Sequence, residues 1–125
     1  MKKILAMGIM GMVCALFGCN AQPNKYSTVE VDEFSELIAD TSVVRLDVRT
    51  SEEYAEGHIE GAINIDVMGS DFEDKAVAAL PKDRTIAVYC RSGRRSKSAA
   101  GILADKGYHV VELNTGYMGW TKAGK

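Results

Sequence analysis

The residues of this sequence best suited to chemistry are 88–96, where one cysteine is followed by a short loop rich in arginine. Apolar residues 86–89 predict a buried strand that ends at Cys90, and residues 96–103 predict the first turns of a helix. A helix N-terminus presents unpaired N–H groups and about half a positive charge. Among arginines, that position lowers the pKa of a cysteine thiol from about 8.5. We therefore predict that Cys90 is a catalytic, nucleophilic thiolate in an anion-binding turn.

The charge of the chain favours a small anionic substrate over nucleic acid. There are 15 Lys and Arg residues against 17 Asp and Glu residues, and without Lys2 and Lys3 the net charge is about −4. A nucleic-acid-binding protein would show a basic face. Here three arginines fall within residues 91–95, beside Lys97, and positive charge concentrated in this way attracts small anions. No metal-ligand spacing, phosphate-binding glycine motif or dinucleotide fingerprint occurs, so we expect neither a metal nor another cofactor.

Residues 1–18 have the pattern of a signal peptide. Lys2 and Lys3 form a positive start, and residues 4–17 are uncharged and apolar apart from glycines. This apolar stretch is too short for a membrane span, and a small residue, Gly18, precedes the predicted cleavage point. We therefore expect the protein to be exported.

The end of that segment resembles the lipobox of bacterial lipoproteins, in which a cysteine becomes the first mature residue and is acylated. Leu16, Gly18 and Cys19 match this pattern, whereas Phe17 is bulkier than the usual residue. The resemblance implies lipidation of Cys19, because several acyl chains on one residue anchor a protein stably. Residues 19–27 would then be a lipid-anchored tether, and the protein would be periplasmic or at the cell surface, held to a bacterial membrane.

The three cysteines have different expected fates. Cys14 leaves with the signal peptide and Cys19 carries the lipid, so Cys90 is the thiol expected to remain. A lone thiol in an exported protein is either a reactive group or a buried structural one. Without lipidation, a disulfide between Cys19 and Cys90 becomes conceivable.

Strand and helix signals alternate through residues 28–125, which predicts one α/β domain with a mainly parallel five-stranded sheet and helices on both faces. In such sheets the site lies at the carboxyl ends of the strands. The strand before Cys90 is the most uniformly apolar, so we expect it to be central. The predicted strands are 28–31, 43–48, 62–65, 85–89 and 108–113. Two helices are predicted to follow caps at Asp32 and Ser51, and three more are predicted over 72–80, 96–106 and 117–122.

Four segments resemble the signatures of a single-domain rhodanese, that is, a rhodanese-homology sulfurtransferase. They are residues 46–54, 57–65 and 88–96 and a closing segment at 107–120. One departure is Thr115, where the family usually has the first of two glycines. The resemblance covers nearly the whole expected domain and implies a rhodanese-like three-layer fold over residues 28–125.

The resemblance also implies a reaction. The Cys90 thiolate would attack the outer sulfur of a donor such as thiosulfate and become a persulfide, from which cyanide or a thiol, including a protein thiol, removes the sulfane sulfur. Backbone N–H groups of residues 91–95 would cradle the negative sulfur. Gly93 would let the loop curl through a positive φ angle, and Ser92 would donate a hydrogen bond to the sulfur. Arg91 and Arg94 would point outward and attract the anionic donor.

Five further residues are expected to support the loop. Arg95 would close it through a carboxylate, with Glu53 and Asp47 as the two candidates. Asp47 and Arg49 are expected to form a local ion pair that orients the turn after their strand. His58 is a candidate base for the thiol, although a turn histidine bonded to backbone is the stronger expectation, because a thiolate stabilised by amides needs no base.

Two other functions compete with sulfur transfer. The first is a cysteine phosphatase or arsenate reductase, because the fold is shared with dual-specificity phosphatases. Those phosphatases place arginine six positions after the cysteine, and here Arg95 follows Cys90 by five. The shorter loop suits a sulfur atom better than a phosphoryl group. Non-catalytic rhodanese-like modules typically lose the cysteine, which this chain keeps. We expect a monomer that binds no nucleic acid.

Overall fold

The computed structural model describes residues 25–125, so the expected signal peptide (1–18), Cys19 and most of the tether lie outside the described residues. Within them, strands and helices alternate. The elements are β1 (Ser27–Val29), α1 (Val31–Ile38), β2 (Val44–Asp47), α2 (Ser51–Glu56), β3 (Ile63–Asn64), α3 (Phe72–Ala79), β4 (Ile86–Tyr89), α4 (Arg94–Asp105), β5 (Val110–Leu113) and α5 (Gly116–Lys122).

The sheet is parallel throughout, in the order β1-β5-β4-β2-β3, which confirms the predicted α/β class. β4 is the middle strand, as its apolar sequence predicted. Asp47 at the end of β2 is in register with Tyr89 at the end of β4. The two chain segments that follow these strands therefore leave the sheet side by side, at its carboxyl edge.

Helices cover both faces of the sheet. Successive side chains of a strand therefore pack in different layers, because they point in opposite directions. Val88 lies in a buried cluster with residues of α3 and α4, including Phe72 and Leu103. Tyr89, the next residue, lies in a second cluster with Phe34 of α1. Full burial of each such large apolar side chain contributes about 1.5–3 kcal/mol, so both layers hold β4 firmly in place.

The first two helices begin differently from the predictions. α1 follows Glu30, and Asp32 lies inside its first turn rather than at its cap. α2 is capped by Thr50, not by Ser51: the Thr50 side chain accepts the Glu53 N–H (3.2 Å), and the Glu53 carboxylate accepts the Thr50 N–H (3.1 Å). This reciprocal capping box satisfies two N–H groups at once, which Ser51 without an acidic partner three residues later would not do.

None of the helices in residues 25–125 is both long and apolar enough to cross a membrane.

Candidate active site

Cys90 lies directly after the central strand and is almost completely buried, with 1% of its surface exposed. Only three residues separate it from α4, which begins at Arg94, two residues earlier than predicted. Gly93 takes the N-cap position in a left-handed conformation, with φ 106°. Its backbone N–H consequently turns back toward the strand end and donates to the Cys90 sulfur at 3.1 Å.

The surroundings of the sulfur favour the thiolate. Burial raises the pKa of the Cys90 thiol, but the Ser96 side chain and the backbone N–H groups of Ser96, Gly93 and Ser92 outweigh burial, so the pKa lies below its ordinary value. The cause is the geometry of the short loop, which aims N–H groups of the loop and of the first turn of α4 at one atom. The site thus has the electrostatic character of a reactive cysteine.

The hydroxyl group against the sulfur is that of Ser96, and not that of Ser92 as predicted. The Cys90 thiol donates to Ser96 Oγ at 3.4 Å, and Ser96 is fully buried. The Ser92 side chain is exposed, and its backbone N–H is the group that faces the sulfur. The early start of α4 explains the difference, because it turns the Ser96 side chain inward beneath Cys90.

Beneath Ser96 lies a buried carboxylate that was not predicted from the sequence. Glu112 on β5 has no exposed surface and accepts the Ser96 hydroxyl hydrogen at 2.5 Å. It also accepts from the Thr28 hydroxyl (2.9 Å) and from Lys97 Nζ (3.3 Å). A glutamate inside an otherwise apolar buried strand is itself a sequence signal, because Glu is rarely buried without partners.

Arg95 is tied to Glu53, the first of the two predicted candidates. Its two terminal nitrogens donate to both carboxylate oxygens, at 2.8 and 3.0 Å. The Arg95 guanidinium, together with the Thr50 backbone N–H, lowers the pKa of Glu53 to about 2 against the opposing effect of burial. This bidentate ion pair, the Arg95–Glu53 fork, joins α4 to the capping box of α2 and holds the helix start beside Cys90.

Arg49 pairs with Asp47, and both side chains are nearly or fully buried. Arg49 also donates to the Gly57 carbonyl at 2.7 Å and lies over the Tyr117 ring, 4.5 Å from its centroid. These contacts use its Nε and Nη2 donors within the protein. The pair therefore fixes the turn after β2 and the neighbouring wall of the site.

A cleft of about 310 Å³ opens beside the loop. Arg91 is exposed and lines it, next to Cys90 in the chain, whereas Arg94 is exposed at the first position of α4. The Glu53 carboxylate and three exposed or half-exposed α5 side chains contribute to the walls. The lining residues are Arg49, Glu53, Glu56, Gly57, Arg91, Tyr117, Met118 and Thr121.

His58 lies in the turn after α2 and interacts with that helix. Its Nδ1 is 2.8 Å from the Tyr54 carbonyl oxygen, and its exposed ring stacks on the Tyr54 ring at 3.7 Å between centroids. Among residues 25–125, the polar groups against the sulfur come from the Cys90 loop and α4 instead. The histidine therefore has the geometry of a turn residue, not of a base for Cys90.

The start of α5 clamps the backbone of the loop. Tyr117 and Met118 donate their N–H groups to the carbonyls of Cys90 (2.8 Å) and Arg91 (2.9 Å). Gly116 makes this approach possible, because a Cβ there would lie 2.5 Å from the Arg91 carbonyl oxygen. Thr115, where this chain departs from the family pattern, is exposed at the cap of α5. Of the two positions at which the family usually has glycine, Gly116 is therefore the one that packing requires.

Within the described part of the chain, no group of three or more His, Cys, Asp or Glu side chains is arranged to hold a metal ion.

Comparison with known proteins identifies the family. A sequence profile described as Rhodanese-like domain matches residues 30–123. The chain is 34% identical over 98 residues to a sulfurtransferase of Allochromatium vinosum, covering 77% of this chain and 89% of that protein. The structure of a rhodanese-related protein from Thermoplasma volcanium superposes with a TM-score of 0.71 at 30% identity, covering 79% of this chain and 94% of that one. The chain therefore belongs to the rhodanese-like domain family.

Other relatives are matched over a smaller part of their length. Thiosulfate sulfurtransferase PspE of Escherichia coli is 41% identical over 68 residues, which cover 54% of this chain and 64% of PspE. The chain spans about half (53%) of a mitochondrial Arabidopsis thaliana protein named HIGH ARSENIC CONTENT 1, with 37% identity over 89 residues. Sulfurtransferases thus recur among the similar proteins.

Proposed function

We propose that this protein is a sulfurtransferase that moves sulfane sulfur from a small anionic donor such as thiosulfate to cyanide or a thiol through a Cys90 persulfide. The observation that carries the proposal is the Gly93 N–H at 3.1 Å from the Cys90 sulfur, at the start of a helix. N–H groups aimed at one sulfur atom stabilise a thiolate and would equally stabilise the outer sulfur of a persulfide nearby. The sulfurtransferases among the relatives support the same chemistry.

The mechanism has two steps in which sulfur is transferred without any net oxidation. The Cys90 thiolate attacks the outer sulfur of thiosulfate, the sulfur–sulfur bond of the donor breaks, and sulfite leaves with the bonding electron pair. Cyanide then attacks the outer sulfur of the persulfide, and Cys90 leaves as a thiolate while thiocyanate forms. Cys90 is the nucleophile of the first step and the leaving group of the second, which is why covalent catalysis suits this site.

The loop favours a small donor. Cys90 is 1% exposed, so a reagent must reach the sulfur with a narrow end, as the terminal sulfur of thiosulfate does. Arg91 supplies exposed positive charge at the cleft, and Arg94 supplies another at the first position of α4. Such charge attracts an anion before it binds.

The direct experiment is a thiosulfate:cyanide assay of the purified domain that follows thiocyanate formation, with Cys90→Ser as the matched variant. We expect turnover by the natural protein and only background formation by Cys90→Ser. A Cys90→Ser protein with undiminished turnover would refute the catalytic role of the cysteine.

The competing phosphatase chemistry is less well supported by the geometry. A phosphatase loop needs its arginine to bind the phosphoryl oxygens, but both terminal nitrogens of Arg95 donate to the Glu53 carboxylate on α2. The same preparation is tested with an aryl phosphate. Phosphate release that depends on Cys90, together with no transfer of sulfur, would favour the phosphatase alternative.

We also propose that the protein is exported and lipid-anchored at Cys19, with residues 1–18 as the signal peptide. The proposal rests on the sequence pattern alone, since these residues lie outside the described part of the chain. Phase separation in detergent compares the full chain with Cys19→Ala. Partition of the natural chain into detergent, with the variant in the aqueous phase, is the expected result, and equal partition would contradict it.

A further inference from the structure

We propose that Ser96 and Glu112 form an internal proton relay. The relay accepts the proton of the Cys90 thiol when Cys90 attacks the donor, and returns it when Cys90 is released from the persulfide. The inference deepens the proposed sulfurtransferase function, on which its return step rests. In this relay Ser96 touches the reacting sulfur, and Glu112 is a positioning residue that acts through Ser96.

The first support is the continuous line of polar atoms below the sulfur. The Cys90 thiol donates to Ser96 Oγ at 3.4 Å, and Ser96 Oγ donates to Glu112 Oε2 at 2.5 Å. The three residues have exposed fractions of 1%, 0% and 0%. Because all three are removed from water, a proton leaving the thiol has a ready acceptor within the protein along this line.

The second support is the number of hydrogens available. A serine hydroxyl has one hydrogen, and here Ser96 donates it to Glu112. In that state Ser96 accepts the hydrogen of the Cys90 thiol. If Glu112 takes the proton, Ser96 can turn its own donor toward the sulfur, which favours the thiolate. One concerted shift therefore links the two forms of the site.

Two further donors hold the Glu112 carboxylate at the end of this line. Thr28 on β1 donates to Oε1 at 2.9 Å, and Lys97 on α4 lies 3.3 Å from Oε2. Lys97 also donates to Asn114 Oδ1 at 2.9 Å and to the Gly93 carbonyl at 3.3 Å, so its charge is shared among three acceptors. The remaining facing group is Ser96 itself.

The charged and polar groups that face Cys90 from the loop side lie on α4 and at its N-cap. Arg95 on α4 interacts electrostatically with the sulfur but is paired with Glu53 of α2. The Gly93 N–H favours a negative sulfur. The thiolate is therefore supported from the loop side, while its proton is accepted from the Glu112 side.

The proton balance closes over one catalytic cycle. The thiol proton passes to Ser96 Oγ while the Ser96 proton passes to Glu112, leaving a thiolate and a neutral carboxylic acid. The thiolate takes the outer sulfur of thiosulfate, and sulfite departs. When cyanide removes that sulfur, the electron pair of the broken sulfur–sulfur bond returns to Cys90, and the relay proton moves back to it. Glu112 is again a carboxylate.

The test compares Glu112→Gln with the natural protein across a range of pH, because Gln has nearly the same shape but cannot take the proton. Iodoacetamide alkylation of Cys90 reports the thiolate without requiring sulfur transfer. Sulfite release in a single turnover reports loading. Near neutral pH we expect both rates to fall by about 10²-fold in the variant, as for removal of a general base. At alkaline pH, where the solvent removes the proton, the rates should approach those of the natural protein.

A second variant and a control complete the design. Ser96→Ala interrupts the same line and should show the same recovery at alkaline pH, while the double variant should be no slower than either single one. Glu36→Gln removes an exposed carboxylate on α1 and should leave the pH profile unchanged. A rate lowered equally at every pH, or a profile identical to that of the natural protein, would overturn the relay. Absence of sulfite release from the natural protein, with normal alkylation, would instead overturn the sulfurtransferase function.

Discussion

Gly93 donates its backbone N–H to the sulfur of Cys90, three residues earlier in the chain, at 3.1 Å. The bond depends on a left-handed conformation at Gly93, with φ 106°, in which the chain reverses from the end of β4 into α4. The conformation of Gly93 therefore both stabilises the sulfur and starts the helix.

Gly93→Ala is expected to damage both stability and activity. A Cβ at this position would lie 2.0 Å from the Asn114 carbonyl oxygen, in addition to the unfavourable φ angle. Together these effects should lower the free energy of unfolding by about 2–4 kcal/mol, and chemical denaturation measures this loss. Gly101→Ala is the matched control in the same helix. A Cβ there meets nothing within 4 Å, so it should stabilise the protein by about 0.5–1 kcal/mol. Equal effects of the two substitutions would contradict this account.

The Cys90 thiol should be alkylated at a lower pH than an ordinary cysteine. The Ser96 side chain and the backbone N–H groups of Ser96, Gly93 and Ser92 outweigh burial and lower its pKa. The rate of reaction with iodoacetamide against pH gives the midpoint for the folded protein. The same protein unfolded in denaturant is the control and should titrate at about 8.5. Coincident midpoints in the two states would show that the folded loop does not favour the thiolate.

Glu53→Gln should destabilise the protein by about 1–2 kcal/mol at neutral pH, because it weakens charge-assisted hydrogen bonds to Arg95 and the capping of α2. Chemical denaturation measures the change. Glu73→Gln is the comparison, since Glu73 forms an exposed ion pair with Lys106, and its loss should cost less than about 0.5 kcal/mol. A smaller effect at Glu53 than at Glu73 would contradict a structural role for the fork.

The contribution of Glu53 should also disappear in acid. The Arg95 guanidinium lowers the pKa of Glu53 in the folded protein to about 2 from its ordinary value of 4.5. As the pH falls below 4.5, the unfolded chain binds the proton first, so this contribution is complete above that pH and is lost between pH 4.5 and 2. The difference in unfolding free energy between the natural protein and Glu53→Gln should shrink over that interval. A difference that stays constant down to pH 2 would show that another interaction causes it.

Arg91→Gln should weaken the use of an anionic donor. Arg91 is exposed at the cleft and carries a positive charge next to Cys90. We expect a several-fold higher KM for thiosulfate, with little change in kcat, and a smaller dependence on salt, since screening reduces such attraction. Lys75→Gln on α3 removes one exposed positive charge elsewhere and serves as the control. Equal effects of both variants would show that the KM for thiosulfate depends only on the net charge of the protein.

The sequence contained enough to place Cys90 in the fold. Strict alternation of strand and helix signals predicted the parallel sheet, and the uniformly apolar residues before Cys90 predicted its central strand. The helix caps were harder, because both Thr50 and Ser51 are good capping residues. The deciding feature is Glu53, three residues after Thr50, which completes a capping box.

The groups beneath the sulfur could not be assigned from sequence for a physical reason. Whether Ser92 or Ser96 faces Cys90 depends on where α4 begins, and the left-handed Gly93 moves that start by two residues. Glu112 finds its partners in distant segments, 16 residues from Ser96 and 84 from Thr28. Only the order of strands in the sheet brings these residues together.

The most direct test of a Cys90 persulfide is the intact mass of the protein after incubation with thiosulfate and removal of the excess. We predict the mass of one additional sulfur atom, located at Cys90 by peptide mapping, absent from Cys90→Ser and lost when cyanide is added. An unchanged mass of the folded protein, or a sulfur that is still gained by Cys90→Ser, would contradict the proposed reaction.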